Sequence, residues 1–294
     1  MRDTPGRPLA GARVLITGGN AGVGLETARG LARLGAQVAI TSRDPAKGEA
    51  AAARIRAAVP DADLEVVNLD LADFASIRAC AAEVSARFDR LDVLINNAGL
   101  VQAQRTVTAE GFETTFGVNH VGHFLLTSLL LDQLRASAPA RVVVVSSHAH
   151  RGASGLDFED LNAEHSYGPL SAYNRSKLAN LLFTRELARR LDGRGVTANA
   201  LHPGFVASRL GRDGDGGVAG AVVMVAARPF AISPRRGART SIYLASSPEV
   251  ATTTGGYFSR CRPVRASAAA TDDDAAQRLW AVTEELVASV PDPA

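Results

Sequence analysis

Tyr173-Asn174-Arg175-Ser176-Lys177 sets a phenol and an ammonium four residues apart, the spacing that brings two side chains onto one face of a helix. Such a pair is often only a surface contact, but two features argue for chemistry. The chain has 32 basic residues, of which two are lysines (Lys47 and Lys177) and the rest arginines. Where arginine is so preferred, a lysine is better explained by what a compact ammonium can do beside a phenol. The second feature is a serine pair, Ser146-Ser147, closing the β-branched run that precedes this helix. A crossover topology brings that strand end close to the helix start. Free tyrosine titrates near pH ~10, so alone it is a poor base at neutral pH. A neighbouring cation favours the phenolate and lowers that pKa. The same phenol can give its proton to an alkoxide forming from a carbonyl, while a serine hydroxyl orients the oxygen.

A second constellation lies near the N-terminus. Thr17-Gly18-Gly19-Asn20-Ala21-Gly22-Val23-Gly24 follows a short apolar run and opens a helical one. Glycines let the chain turn sharply and let amides approach a pyrophosphate, whose charge a helix N-terminus favours. A glycine-rich turn alone is a weak signal; between a first strand and a first helix it is a moderate one, against the alternative of a tight turn with no ligand. The next strand ends Thr41-Ser42-Arg43-Asp44. An NAD enzyme places a carboxylate at that tip for the ribose 2′-hydroxyl. Aligned on Gly35-Ala36 the tip is neutral Ser42, followed by Arg43, whose guanidinium can grip a 2′-phosphate in two places. This points to NADP(H). Asp44 is the counter-argument, but before Pro45 it has work as a helix cap.

Gly18, Gly22 and Gly24 form T-G-x-x-x-G-x-G rather than G-x-G-x-x-G, and here the chain resembles the classical short-chain dehydrogenase/reductase family. The resemblance implies that Gly18, Asn20, Ala21, Gly22, Val23 and Gly24, with Ser42 and Arg43, hold the cofactor. It gives Asp70, followed by Leu71, a contact with the adenine ring. Asn97, Ala98 and Gly99, in Asn96-Asn97-Ala98-Gly99, would stabilise the central sheet and line the adenine-ribose side. Asn119, in Val118-Asn119-His120, corresponds to the asparagine that holds a water next to the lysine. Of the serine pair, the family's catalytic position is the second. Asn119, Ser147, Tyr173 and Lys177 are thereby the expected catalytic set, with Tyr173 and Lys177 also touching the cofactor. A positive nicotinamide would lower the tyrosine pKa further. Pro203 and Gly204 would face the nicotinamide, followed by Val206 and by Ser208, near a position where the family commonly has a threonine on the carboxamide.

Ser176-Lys177-Leu178-Ala179-Asn180-Leu181-Leu182-Phe183-Thr184, Gly255-Gly256-Tyr257-Phe258 and Arg278-Leu279-Trp280 are similar to the retinol dehydrogenase branch. Between Ser147 and Tyr173 lie 25 residues (148 through 172), a longer gap than in compact family members. The loop at 148–168 is expected to help wall a substrate pocket, with 100–107 and the apolar stretch Val222–Phe230, which contains Met224. Such a lining suits a lipophilic aldehyde, ketone or alcohol. The membrane-anchoring N-terminal segment of many animal members is missing, which argues against membrane-derived retinoids.

These residues need a frame. Short β-branched runs alternate with longer Ala/Leu-rich segments, the pattern of parallel strands joined by crossover helices. Strands are predicted at Arg13–Thr17, Gln37–Thr41, Leu64–Asn68, Val93–Asn96, Arg141–Ser146, Thr197–Leu201 and Gly256–Phe258. Helices are predicted at Gly22–Leu34, Pro45–Val59, Phe74–Phe88, Glu110–Ser137, Ala172–Leu191, Pro234–Ala245 and Asp273–Val290. The fold class is α/β, a single Rossmann-type doubly wound parallel sheet of about seven strands with helices on both faces. One domain over residues 1–294 is expected, with a mobile flap at 204–236, where five glycines fall between Gly211 and Gly220.

Composition narrows the class further. Hydrophobic residues make up 46% and charged residues 21%, and the net charge is +2, which provides no general field for nucleic acid or an anionic membrane. Cys80 and Cys261 cannot form a disulfide scaffold, and no signal-like or membrane-length apolar stretch is present. A cytoplasmic protein without a membrane anchor is expected, as a homodimer or homotetramer built through the two long helices. Neither His148/His150 nor His120/His123 has the surroundings of a metal site. No G-x-S-x-G elbow supports a serine hydrolase. An epimerase would need a larger C-terminal part. A non-catalytic NADP-binding sensor is the remaining alternative, and it has no use for the Tyr/Lys pair.

Overall fold

Strands that are apolar on consecutive residues cannot face water on either side, so helices must cover both faces of the sheet they build. The computed structural model describes residues 7–206 and 231–290. Its strands are β1 (Arg13–Ile16), β2 (Gln37–Ser42), β3 (Leu64–Asn68), β4 (Val93–Asn96), β5 (Ala140–Val145), β6 (Val196–Leu201), β7 (Tyr257–Ser259) and β8 (Arg262–Pro263). They form one sheet in the order β3-β2-β1-β4-β5-β6-β7-β8. Neighbours from β3 through β7 are parallel, in registers such as Leu15 opposite Ala39 and Leu94. The eighth strand, β8, runs antiparallel to β7. It exceeds the expected seven because a two-residue strand containing proline carries no strand pattern.

The helices are α1 (Gly22–Arg33), α2 (Pro45–Ala58), α3 (Phe74–Arg87), α4 (Thr114–Phe116), α5 (Gly122–Ala136), α6 (Pro169–Arg190), α7 (Pro234–Ser246) and α8 (Asp273–Ala288). Their starts are written locally. Asp44 accepts from the Lys47 amide, Asp73 from those of Ala75 and Ser76, Ser233 from that of Arg236, and Asp272 from that of Ala275. Alternate strand residues point to opposite faces and so feed two cores. Val14, Ile16 and Ile40 pack with α1 and α2 residues such as Leu25 and Ile55. Leu15, Leu94 and Val142 pack with Ile77, Leu126, Leu182 and Trp280 on the other face.

Two predicted helices need correction. Glu110–Ser137 is not one continuous helix: Gly111 turns at φ +86°, the Thr108 amide bonds Phe112 C=O, and helix begins only after Glu113 caps Thr115 and Phe116. Between α4 and α5 the chain makes a wider π-helical turn, Gly117–Val121, which holds Asn119. The second long helix starts earlier than Ala172, at Pro169 in the first turn after Gly168. From β1 the chain winds one way to β3 and then crosses to β4. The carboxyl ends of β1 and β4 therefore flank a crevice where such sheets bind ligands.

Candidate active site

One cavity of about 910 Å³ runs along the carboxyl ends of the strands. Its lining includes Gly18, Asn20, Ala21, Gly22, Val23, Gly24, Ser42, Arg43, Asp70, Leu71, Asn97, Ala98, Gly99, Ser147, Tyr173, Lys177, Pro203, Gly204 and Val206. The chain thus brings together nearly every residue singled out from sequence. Ser208 and Val222–Phe230 lie outside the described residues, as does most of the expected flap. The base of that segment is closed by a parallel bridge between Val206 and Ile232.

At one end, the glycine turn needs its glycines. Gly18 sits at φ +63°, and a Cβ on Gly24 would fall 2.4 Å from the Gly18 carbonyl oxygen. α1 starts at Ala21 without a side-chain cap, unlike α2, α3, α7 and α8, so its first amides are left for a ligand in the cavity. Asn97 braces the turn by donating to the carbonyls of Thr17 (2.8 Å) and Gly18 (3.3 Å). Thr17 Oγ1 accepts from the amides of Asn97 (2.8 Å) and Ala98 (2.9 Å), so the glycine turn and the tip of β4 move as one. Asp44 is occupied: it caps α2, while Ser42 Oγ donates to its carbonyl at 2.7 Å. The Arg43 side chain is exposed at the cavity edge and makes no hydrogen bond or ion pair with a described residue. This is a cradle for a dinucleotide.

In the middle of the cavity Tyr173 and Ser147 line the same wall, near enough for Ser147 to act on the phenol. Ser147 Oγ also accepts from the Ala149 amide at 3.1 Å, which fixes the serine at the start of a 3₁₀ turn. Ser146 is buried and its hydroxyl is spent on the Lys177 carbonyl at 2.8 Å, which sets it apart from the second serine. Lys177 Nζ lies 5.7 Å from the Tyr173 ring centroid and donates to Val145 C=O at 3.2 Å.

Burial dominates the titration of both groups. It lowers the Lys177 ammonium to about 8 and raises the Tyr173 phenol, with Ser147 opposing the rise. The lowering expected from the ammonium together with a positive nicotinamide thus has to work against the burial of the phenol.

A hydroxyl pair with a buried lysine, joined by one cavity to a glycine cradle, calls for comparison with known proteins. Residues 12–215 match the family model described as short chain dehydrogenase. The chain belongs to the short-chain dehydrogenase family. Within it, the retinol dehydrogenase-like branch is its place. It is 47% identical over 297 residues to retinol dehydrogenase 14 of Mus musculus, covering 95% of this chain and 86% of that protein. To retinol dehydrogenase 12 of Homo sapiens it is 48% identical over 282 residues, covering 95% and 87%. Among solved structures, a Mycobacterium Paratuberculosis protein superposes with a TM-score of 0.76 at 39% identity, covering 97% of this chain and 96% of that one. The Pseudomonas aeruginosa RhlG/NADP active-site complex does so at 0.69 and 30%, covering 87% and 96%. Family membership makes the cradle a nicotinamide dinucleotide site.

In this short-chain dehydrogenase, Asn119 is fully buried and stands behind the cavity wall. Its Oδ1 accepts from the Leu100 amide (2.8 Å), and its Nδ2 donates to Leu100 C=O and Ser176 Oγ (both 2.9 Å). Ser176 Oγ donates onward to Tyr173 C=O at 2.8 Å, tying the π-helical turn to α6. A Cβ on Gly99 would lie 3.2 Å from both Asn119 Oδ1 and Lys177 Nζ, so a larger residue there would press on both side chains. The Asn119 carboxamide is thus engaged, and its main-chain carbonyl meets His123 Nδ1 at 3.1 Å.

Of the 148–168 loop, only His148 and Ala149 line the cavity. The rest packs outward, with Arg278 donating to Glu159 and stacking on Phe158, and Tyr167 donating to Gln102 C=O. That loop walls the pocket less than expected because α8 holds it. Of the 100–107 segment, Leu100, Val101 and Gln102 line the cavity. Lining residues missed from sequence include Leu170, His202, Phe205 and Arg260. Only His202-Pro203-Gly204 carried a local signal. The others belong to the site through tertiary placement.

Proposed function

We propose that this chain is an NADP(H)-preferring oxidoreductase that interconverts a carbonyl and an alcohol on a small lipophilic molecule, with Tyr173 as general acid and base. The meeting of Ser147, Tyr173 and Lys177 in one cavity whose other end is the glycine cradle carries this conclusion. NADPH bound there supplies the hydride. Tyr173 gives its proton to the substrate carbonyl oxygen, and its raised pKa keeps that proton in place at neutral pH. The Ser147 hydroxyl donates to the same oxygen as negative charge builds on it. Lys177, charged below pH about 8, provides the ammonium beside the phenol and the cofactor ribose. Asn119 holds Leu100 and α6 in the geometry that presents Tyr173 and Lys177. In the reverse direction the phenol must first lose its proton, so alcohol oxidation should rise toward alkaline pH more steeply than carbonyl reduction.

Support for NADP over NAD comes from the Arg43 guanidinium, which has no partner among the described residues, and from the structural relative solved with NADP. Support for a lipophilic substrate comes from Leu100, Val101, Leu170 and Phe205 on the cavity wall, and from relatives named for retinol. The test is a panel of lipophilic aldehydes and ketones with NADPH, following nicotinamide absorbance. Tyr173→Phe is expected to lower turnover on the order of 10²–10⁴-fold. Wild type no faster than this variant across the panel would overturn the proposal.

A further inference from the structure

We propose that Arg260 is an anion anchor at the substrate end of the cavity, and that the substrate is an amphipathic carbonyl or alcohol carrying a carboxylate remote from the reacting carbon. The inference rests on the oxidoreductase proposal above and deepens it.

Arg260 lines the same cavity as Ser147 and Tyr173. Its position along the sheet separates it from the cofactor's phosphates. Arg43 follows β2 and Arg260 follows β7, five strands apart in the sheet order, which is roughly 24 Å at a spacing of ~4.8 Å per strand. Ser147 follows β5, two strands from β7, or roughly 10 Å. A cofactor whose 2′-phosphate meets Arg43 and whose ring lies by Tyr173 leaves Arg260 beyond the reacting centre.

The backbone at Arg260 is held in an unfavourable conformation. Ser259 pairs with Arg262, so Arg260 and Cys261 form a two-residue hairpin loop, with φ of +51° and +61°. Such loops are the usual place for asparagine and glycine, and neither residue here is one of them.

The charge has no partner among the described residues. Arg260 makes no hydrogen bond or ion pair with a described residue, and from Val250 through Thr271 the chain has three arginines and no acid. Asp70, at the opposite end, is the one carboxylate among the described lining residues. Beside Arg260, His202 also lines the cavity, and its Nδ1 is buried without a partner. Burial, followed by the neighbouring His148 and His150 and then by Arg151 and Arg260, lowers the His202 pKa to about 4 and holds it neutral. The same cavity wall carries two exposed apolar side chains, Leu170 (69%) and Phe205 (45%). An apolar body with one terminal carboxylate matches this combination of surfaces, because a single guanidinium fork pairs two-pronged with a carboxylate.

The test compares kcat/KM for medium-chain ω-oxo carboxylic acids and their methyl esters at saturating NADPH. Wild type should prefer the acids by on the order of tenfold or more, a preference that shrinks as salt is raised. Arg260→Met should bring the ratio to roughly one, and Arg260→Lys should restore part of it. Arg262→Met, on the same hairpin but outside the cavity lining, should keep it. Met meets the same left-handed strain as Arg, so a thermal midpoint close to wild type separates lost charge from lost fold. Equal turnover of acid and ester by wild type overturns the anchor alone, as does a preference surviving in Arg260→Met. A raised KM for NADPH in Arg260→Met with the acid preference intact also overturns it, by assigning the charge to the cofactor. Absence of turnover for every carbonyl sinks the oxidoreductase proposal, and the anchor with it.

Discussion

Arg43 and Asp44 are adjacent, yet the structure gives them opposite employment. The Asp44 carboxylate is spent on the first turn of α2, while the Arg43 guanidinium has no partner among the described residues. A charged hydrogen bond contributes ~1.5–3 kcal/mol, so a two-pronged grip on a 2′-phosphate sets a selectivity of roughly 10–100-fold. Arg43→Ala should therefore lower kcat/KM for NADPH by about that factor and leave NADH nearly unchanged, measured with one aldehyde and both cofactors. Equal loss with both would show that Arg43 does not read the phosphate. The two flanking residues could be named from sequence, because a cap before Pro45 is a local event. The direction of the Tyr173 shift could not, since it depends on how much protein surrounds the phenol.

At the scale of elements, the π-helical turn Gly117–Val121 concentrates the fold's buried polar chemistry. Thr17 Oγ1 already accepts two amides, so its hydrogen goes to His123 Nε2 at 2.9 Å and leaves His123 Nδ1–H for the Asn119 carbonyl. One neutral imidazole thereby links the glycine cradle to the turn behind Lys177. His120, three residues earlier, lies in an aromatic seam of Phe116, Phe124 and Phe183 and meets Thr283 of α8 at 3.0 Å.

Burial lowers His120 to about 3 and His123 to about 4, against 6.5 for either in the unfolded chain. Below pH 6.5 the unfolded chain binds protons that the folded one refuses. Stability is therefore full above that pH and falls as acid is added, at up to ~1.4 kcal/mol per pH unit for each histidine. The loss continues until the folded-state values near pH 4 and 3 are reached. Urea midpoints measured from pH 7 to 5 should fall less steeply in His120→Asn than in wild type. Parallel slopes would refute a neutral His120. A continuous helix over Glu110–Ser137 was the natural sequence expectation, because a π-helical turn keeps helical periodicity on both sides and differs only in one wider hydrogen-bonded turn.

For the molecule as a whole, α8 matters most. It packs along α6, with Trp280 stacked on Phe183 at 5.8 Å, Arg190 over the indole at 4.4 Å, and Arg185 paired with Asp273. Apart from its two ends, α6 is covered within the chain, whereas α5 leaves Leu129 41% exposed. Association through the two long helices, expected from sequence, would have to displace α8 or be built on it. Sedimentation equilibrium at micromolar concentration should accordingly give the mass of one chain. A stable dimer would show that another surface of this protein self-associates. No helix among the described residues is long and apolar enough to cross a membrane.

Sequence alone determined whatever is encoded by neighbours a few residues apart. The glycine turn, the helix caps, the Tyr173/Lys177 face, the serine at a strand end and the alternation that forces a two-faced sheet are all local, because backbone sterics and helical or extended periodicity act over one or two turns. Tertiary structure decided what depends on contacts distant along the chain. It set Arg260 into the cavity from a hairpin far beyond Tyr173, took the 148–168 loop away from that cavity by fastening it to α8, and raised the phenol by enclosing it. Burial, the field of remote charges and the meeting of strand ends exist only once the sheet has assembled, so no run of residues read by itself contains them.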